Sequence, residues 1–191
     1  MRVADVPFNH FCRSLADNLG ERLAHIVVQM PPGFGRTLAN DDALRSFVEQ
    51  WAPLYPIAVE LRSNSWNVES IDEMFRTHNV PRVSNDLHDV PGLERRCYDT
   101  SRTSAYIRLI GKHDGVAKDH VQRPQTEALA WWRSQIGDLL AKGVRDVYVV
   151  ANNHYEGHAP ETLRTLAFDL RADGVDVVSS NGYPDGQVSL F

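Results

Sequence analysis

The chain has few cysteines and no long apolar segment, and both scarcities narrow the classes of protein it can belong to. Its two cysteines, Cys12 and Cys97, form no CxxC motif, so neither a disulfide framework nor a cysteine-based zinc site is predicted. No apolar run approaches the roughly 20 residues that span a membrane. The N-terminal residues MRVADVPFNHF include an acidic side chain and lack the apolar core of a signal peptide. We therefore expect a cytoplasmic protein with no membrane association.

Lysine is also scarce, since only 3 of the 20 basic residues are lysines. The net charge of −5 argues against a general nucleic-acid-binding surface, although it leaves room for a local basic pocket. A length of 191 residues suffices for one domain with a sizeable core, and no change of composition marks a linker. We predict a single domain over residues 1–191, with residues 175–191 as its C-terminal tail.

Short apolar strands alternate with amphipathic helices along the chain. Strands are predicted at residues 25–29, 57–62, 81–85, 105–109 and 146–153, with a last strand at 175–180. Helices are predicted before and between most of them, the second beginning at an N-cap, Asn40. Such alternation is typical of βαβ units, and nearly continuous apolar strands indicate a parallel sheet buried on both faces. The sequence therefore predicts an α/β fold.

The stretch from Ile57 to Trp66, IAVELRSNSW, carries the most unusual pattern. Period-2 alternation in a strand places Glu60 and Arg62 on one face, away from Val59 and Leu61. Two opposite charges at the end of an apolar strand are costly to bury unless they pair or meet a ligand. This stretch is therefore the first place to look for a site.

Polar side chains also close the other predicted strands at their carboxyl ends. In parallel α/β folds ligands bind at that edge, because loops and helix N-termini converge there. The sequence therefore predicts a site at the strand ends. Its candidate residues are Gln29, Glu60, Arg62, Asn85, Asp86, Arg108, Asn152, Asn153 and His154.

The charged candidates suggest distinct roles in such a site. Arg62 and Arg108 would hold a carboxylate or phosphate through bidentate hydrogen bonds. Glu60 or Asp86 would then act as the acid or base, and His154 is a further catalytic candidate because imidazole titrates near neutral pH. We interpret Glu60, Asp86 and His154 as candidate catalytic residues and the two arginines as candidate ligand-binding residues.

The same residues also admit a purely structural interpretation. The four charged strand-end residues fit an ion-pair network that plugs the end of the sheet, since structural networks cluster charge as well. At least one of Asn152 and Asn153 is expected to turn the chain. The other amide, together with Gln29, is a candidate ligand contact. The four charged residues are Glu60, Arg62, Asp86 and Arg108.

Five short segments between residues 8 and 170 resemble a known family in order and spacing. They are Gln29-Met30-Pro31-Pro32, Glu60-Leu61-Arg62 followed by Trp66, Asp86, Tyr106-Ile107-Arg108-Leu109-Ile110-Gly111, and Asn152-Asn153 followed by Gly157 and Ala159. Together they are similar to the YecE-like family, domain of unknown function 72. Two positions depart from the family pattern: Ile110 replaces a usual histidine, and Ala151 replaces a usual aromatic residue.

The resemblance implies a TIM-barrel fold with no established reaction, and charged and amide residues at the strand ends. A (β/α)₈ barrel has eight strands and about 250 residues, whereas this chain has five clear strands. We therefore expect an incomplete TIM (β/α) barrel, corresponding to about strands four to eight of the family. Truncation is the favoured interpretation. An open sheet covered by its own termini is also possible, as is a homodimer that covers the open sheet edge.

The predicted function is an enzyme that binds a small anionic or phosphorylated ligand at the strand ends. A metal-dependent phosphodiester hydrolase is one alternative, by analogy of fold alone. Its metal would need Glu60, Asp86, His88 and His154, but no HExxH or similar spacing supports them, so no metal site is predicted. A non-enzymatic binding or structural domain is a second alternative, and an inactive truncated protein is a third. The sequence specifies no cofactor.

Overall fold

The computed structural model describes residues 5–87, 94–112, 115 and 117–178. Within this part of the chain five strands and five helices form an α/β arrangement, and no helix there is long and apolar enough to cross a membrane. The strands are β1 (Ile26–Gln29), β2 (Ile57–Glu60), β3 (Ser84–Asp86), β4 (Ser104–Leu109) and β5 (Asp146–Ala151). The helices are α1 (Asp5–Leu19), α2 (Leu38–Trp51), α3 (Glu69–Thr77), α4 (Thr126–Ala141) and α5 (Ala159–Ala172).

All paired strands are parallel, and they lie in chain order. β1 pairs with β2, and β3, β4 and β5 form a second sheet. A parallel bridge between Val59 and Arg82 joins the two sheets. The Val59 N–H donates to the carbonyl of Pro81 (3.0 Å), and the Val83 N–H donates to the carbonyl of Val59 (2.8 Å). The strand order is therefore β1-β2-β3-β4-β5, with every carboxyl end at the same edge.

The five strands follow a strongly curved surface, because side chains beside β1 and β4 touch although β2 and β3 separate them. His25, directly before β1, has its Nε2 atom 2.8 Å from the Ser104 hydroxyl oxygen at the start of β4. Three strand spacings across a flat sheet amount to roughly 14 Å, which two such short side chains cannot bridge. We call the face that bears His25 and Ser104 the concave face.

The opposite, convex face carries the helices and the hydrophobic core. Alternate residues of β1 and β2 pack there against α2 and α3, and those of β4 and β5 pack against α4 and α5. Full burial of such a side chain contributes about 1.5–3 kcal/mol. The apolar stripe along one face of α2 is buried against β1 and β2. Its members are Leu44, Phe47, Val48 and Trp51.

The concave face is covered unevenly. All four residues of β2 are buried, whereas the residues of β5 are mostly half-buried and Val150 is 44% exposed. The predicted burial on both faces therefore holds at β2 and fails at β5, where no described segment covers the concave side. Among the described residues β1 and β5 each pair with one strand only. The homodimer proposed to cover such an edge stays a prediction.

Several predicted boundaries are wrong, and β2 and β5 each end two residues before the predicted positions, 62 and 153. Thr37, not Asn40, is the N-cap of α2, since Thr37 has extended backbone angles and its hydroxyl accepts the Asn40 N–H at 3.2 Å. β3 covers Ser84–Asp86 rather than residues 81–85, because only Arg82 of the preceding residues forms a bridge, and that bridge is to β2. Residues 175–178 form no strand, and residues 179–191 lie outside the described part of the chain.

Gly111 is a position where the fold requires glycine. Its φ is +71°, and a Cβ there would lie 2.4 Å from the carbonyl oxygen of His154 and 2.4 Å from the Cα of Tyr155. The left-handed backbone already disfavours a side chain, and both colliding atoms belong to the backbone, which cannot rotate away. The close approach joins the end of β4 to the loop after β5.

We expect Gly111→Ala to lower the free energy of unfolding by at least about 2 kcal/mol, through combined clash and backbone strain. Gly137→Ala is the matched control, because Gly137 lies within α4 with no atom within 4 Å of its would-be Cβ. That change should stabilise the protein by about 0.5–1 kcal/mol. Urea unfolding measures both values, and a Gly111→Ala protein as stable as the wild type would contradict the close approach.

Candidate functional site

Glu60, the last residue of β2, is a fully buried carboxylate. Strand alternation sends Val59 into the convex core and Glu60 onto the concave face, where 0% of it is exposed. The Glu60 carbonyl accepts the N–H of Met30 at 2.9 Å, so the chain leaving β1 is bonded to the same position. The carboxyl ends of β1 and β2 are thus held side by side around one acidic side chain.

Two arginines and a glutamine surround this carboxylate. Arg62 Nε donates to Glu60 Oε1 at 2.6 Å. Arg108 Nη1, from β4, donates to Glu60 Oε2 and also to Gln29 Oε1, the latter at 3.0 Å. We call Gln29, Glu60, Arg62 and Arg108 the arginine cluster. The structure therefore brings together four predicted site residues from three strand ends.

The arginine cluster is electrostatically unbalanced. One carboxylate and two guanidinium groups leave a net charge of +1. The Glu60 side chain is 0% exposed, whereas those of Arg62 and Arg108 are 18% and 28% exposed. Burying a carboxylate without a partner is strongly unfavourable, and two charge-assisted hydrogen bonds offset that cost. The excess positive charge lies on the partly exposed side, where solvent or an anion can reach it.

The loop after β2 is fixed by Trp66, which holds Arg62 above Glu60. The Trp66 indole is fully buried, donates its Nε1–H to the Phe34 carbonyl at 2.6 Å, and stacks on the Phe34 ring at 5.3 Å between centroids. The Arg36 N–H adds a bond to the Ser65 hydroxyl at 2.8 Å. The loops after β1 and β2 therefore form one packed unit, and the path of the chain through Arg62 is determined.

Asp86 belongs to a different environment. It ends β3 on the convex face, because Asn85, its neighbour in the strand, shares register and face with Arg108. Asp86 Oδ2 accepts hydrogen bonds from Arg95 Nε (2.7 Å), Trp132 Nε1 (3.2 Å) and the Tyr155 hydroxyl (2.9 Å). The interpretation of Asp86 as a partner of Glu60 and Arg108 in one network is therefore wrong. Its catalytic role stays a prediction.

The Tyr155 phenol is a hydrogen-bond donor locked into this convex-face network. It is 1% exposed. Burial raises the pKa of Tyr155, and the adjacent Asp86 carboxylate raises it further. The phenol therefore stays protonated at neutral pH and donates to Asp86. Through this bond the loop after β5 is anchored to the end of β3.

The paired asparagines both turn the chain. Asn152 Oδ1 accepts the His154 N–H at 3.0 Å, and Asn153 Oδ1 accepts the Ala159 N–H at 2.8 Å at the start of α5. We predicted that at least one of the two asparagines would turn the chain, and both do. Their predicted ligand-binding role is untested, and it would have to use the amide nitrogens.

His154 lies in the loop between β5 and α5. It is half-buried, and its backbone carbonyl faces Gly111 at the end of β4. This position is at the same edge of the sheet as the arginine cluster, since the Asn152 N–H continues the β4–β5 pairing by donating to the Leu109 carbonyl at 2.7 Å. Catalysis by His154 stays a prediction.

Three rings lie deeper on the concave face. Tyr106 of β4 and Tyr148 of β5 are register partners whose ring centroids are 6.3 Å apart, with planes 20° from parallel. The His25 ring meets both edge-on, at 5.7 and 5.0 Å. Burial lowers the pKa of His25, an effect that the Asp146 carboxylate opposes, so the imidazole is neutral at pH 7. We call Tyr106, Tyr148 and His25 the ring group.

An open pocket of about 280 Å³ lies near the start of β3 and the carboxyl ends of α3 and α4. Its charges are largely paired, since Arg76 bonds to Glu69 and Lys142 lies 3.8 Å from Asp99. Burial raises the pKa of Cys97 to about 11, so its thiol is a poor nucleophile. The lining residues are Asp72, Arg76, Arg96, Cys97, Tyr98, Asp99, Thr100 and Lys142.

The metal-dependent hypothesis gains no support from the described residues. Among them no group of three or more histidine, cysteine, aspartate or glutamate side chains is placed to hold a metal ion. Glu60 is occupied by two arginines, and Asp86 lies on the opposite face of the sheet. His88, the remaining candidate besides His154, lies outside the described residues.

Sequence reasoning missed several residues that hold the strand ends in place. Arg95 lies in a stretch of the sequence with no helix or strand pattern, and Trp132 shows in the sequence only as an apolar residue. Tyr155 and Glu156 directly follow the predicted Asn152–His154 group and are both buried. A buried role for them was detectable only from their position at the strand end. His25 lies before β1, and its contact with Ser104 depends on curvature that no local pattern encodes.

Replacing Asp86 tests whether the convex-face network holds the sheet edge together. We expect Asp86→Ala to lower the free energy of unfolding by about 3–5 kcal/mol, because three donors lose their acceptor and two of them, on Trp132 and Tyr155, are buried. Tyr155→Phe should cost about 1–2 kcal/mol, since Arg95 and Trp132 still satisfy the carboxylate. Asp173→Ala, which breaks an exposed pair with Arg133, is the control and should cost less than about 1 kcal/mol. Equal losses at Asp86 and Asp173 in urea unfolding would contradict the network.

Comparison with known proteins agrees with this architecture. The family model described as protein of unknown function DUF72 matches residues 1–187. A DUF72 family protein from Thermotoga maritima is similar in structure, with a TM-score of 0.71 and 25% identity over 85% of this chain and 64% of that chain. A DUF72 family protein from Enterococcus faecalis has a TM-score of 0.71 and 24% identity over 84% of this chain and 66% of that chain.

This chain therefore spans about two thirds of the length of those two solved proteins. The curated proteins contain no match to the sequence. The family match extends over nearly the whole chain and agrees with the segments that pointed to the YecE-like family. The chain belongs to the DUF72 family of proteins of unknown function.

Proposed function

We propose that this protein binds a small anion, a phosphate or carboxylate group, through Arg62 and Arg108 at the carboxyl ends of β2 and β4. The observation that carries the proposal is the pair of partly exposed guanidinium groups held on one buried carboxylate. Glu60 orients both arginines and neutralises only one of them. An anion above the cluster would neutralise the other.

The arginines retain hydrogen bonds to give. A guanidinium group has five N–H donors. Within the described part of the chain Arg62 uses only Nε, and Arg108 uses only Nη1. Their remaining donors can take up the two or three oxygens of a carboxylate or phosphate in the usual fork geometry. Two guanidinium groups that are already oriented at the same edge of the sheet favour an oxyanion over a neutral ligand.

Binding is better supported than acid–base catalysis at this cluster. A general acid or base must reach the substrate and exchange a proton with it. Glu60 is completely buried and both its oxygens accept from arginines, which suits an orienting role. Catalytic action by Asp86 or His154 remains our prediction from the sequence and needs a bound substrate to test it.

We also propose that β1 to β5 form one arc of a (β/α) barrel. Three observations support this arrangement: the strands are parallel and follow one another in chain order, the helices pack on the convex face, and side chains touch across the concave face. In such an arc the arginine cluster lies at the edge where barrel proteins bind their ligands. The arc would correspond to about strands four to eight of a complete barrel.

Substitutions that keep the shape of the cluster but change its charge test the proposal. Inorganic phosphate at 100 times its Kd should stabilise the wild type by about 2.7 kcal/mol, which is roughly 5–10 °C in Tm. Glu60→Gln frees the arginines from their counter-charge. It should therefore lower the Tm without phosphate and enlarge the shift that phosphate causes.

The double variant Glu60→Gln/Arg108→Gln removes one charge of each sign, so it leaves no unpaired buried charge. We expect it to fold and to lose most of the phosphate-induced shift. Arg133→Gln, which removes an exposed arginine of α4 that pairs with Asp173, controls for general loss of positive charge. The proposal is wrong if phosphate shifts the Tm of the double variant as much as that of Arg133→Gln.

A further inference from the structure

We infer that the anion bound by the arginine cluster carries a planar aromatic ring, which lies against Tyr106 and Tyr148. This inference rests on the proposed function and specifies its ligand class. An anionic group alone would use only the cluster at the strand ends. The ring group below it on the concave face offers a second, chemically different contact surface.

The ring group lies directly below the arginine cluster. Tyr106 precedes Arg108 by two residues in β4, so both point to the concave face at roughly 6.6 Å spacing along the strand. The charges of Arg108 and Glu60 both act on the pKa of the Tyr106 phenol, after the larger effect of burial, which raises it. The phenol is therefore close to the cluster. A ligand held by its anionic end at Arg108 would extend along Tyr106.

No described segment covers the concave face where such a ligand would lie. Val150 is the register partner of Arg108 in β5, and it is 44% exposed. Tyr106 and Tyr148 are half-buried rather than enclosed. Buried tyrosine hydroxyls usually find a hydrogen-bond partner, yet among the described residues neither of these phenols has one. Two aromatic surfaces and two uncommitted hydroxyls thus line the way from the arginines into the concave face.

The remaining ring determines which side of the tyrosines is available. His25 lies edge-on to both rings, at centroid distances of 5.7 and 5.0 Å, and its Nε2 is bonded to Ser104. This contact closes the lower end of the ring group, toward the start of β4. The surface that stays open faces the arginine cluster. A planar ring suits this surface better than a flexible chain, because stacked rings keep contact over their whole area.

Three phosphates of matched charge test the inference on the intact chain. Phenyl phosphate, cyclohexyl phosphate and inorganic phosphate are titrated calorimetrically against the wild type. Phenyl phosphate should bind about tenfold more tightly than either of the others, which corresponds to one favourable ring contact. Tyr148→Leu and Tyr106→Leu should each reduce that preference to less than about threefold while inorganic phosphate still binds.

Two further variants separate the ring contact from a folding defect. Tyr148→Phe keeps the ring and should keep the preference for phenyl phosphate. Tyr55→Leu removes a tyrosine that bonds to Asn9 of α1 and packs against the core on the convex side, and it should leave the preference unchanged. Circular dichroism melts establish that each variant is folded before titration.

The outcomes distinguish this inference from the proposed function. If phenyl phosphate binds no more tightly than cyclohexyl or inorganic phosphate, the ring contact is wrong and anion binding stands. A preference that survives both leucine variants also overturns the ring contact. If none of the three phosphates binds the wild type, the inference fails together with the proposed function.

Discussion

A carboxylate that water cannot reach must find its counter-charges within the protein, and Glu60 imposes that requirement on the strand ends. Its two arginines come from different places, one from the loop after β2 and one from β4. The curvature of the sheet is what brings β4 within reach, and the packing of Trp66 is what holds the loop. If either the curvature or the packing of Trp66 were lost, the buried Glu60 carboxylate would lack one of its two arginine partners, which is strongly destabilising.

The sequence was sufficient to predict the parallel α/β architecture and to place Glu60 and Arg62 on one face of a strand, although it left open whether they pair with each other or meet a ligand. Both follow from short-range regularities, namely apolar periodicity and the alternation of side chains along one strand. The position of the arginine cluster at the carboxyl ends of the strands also agrees with the fold rules that predicted polar residues there. Arg108 was correctly grouped with Glu60, because a charged residue near the end of an apolar strand is recognisable from the sequence.

The face of the sheet on which Asp86 lies could not be predicted, because it depends on the register between neighbouring strands, which local sequence does not specify. Asn85 and Asp86 are adjacent polar residues, and only the register with β4 decides which one faces Arg108. Burial of apolar residues gives no guide here, since the convex side of this segment is polar as well as buried: it carries Ser84 and Asp86 of β3 and, before them, Arg82. Curvature was implied only by the resemblance to a barrel family and by no local pattern, so the contact of His25 with Ser104 could not be predicted from the residues themselves.

The contacts across the concave face also determine when the site can form during folding. His25 and Ser104 are 79 residues apart in sequence, as are Gln29 and Arg108, and Glu60 and Arg108 are 48 apart. Contacts of such separation require closure of long loops, which slows folding and places their formation late. During synthesis the residues of β2 leave the ribosome before β4 exists to supply Arg108, so Glu60 cannot yet be buried with both of its counter-charges. The arginine cluster is therefore assembled by completion of the fold, and it is absent from any partly folded form that lacks β4.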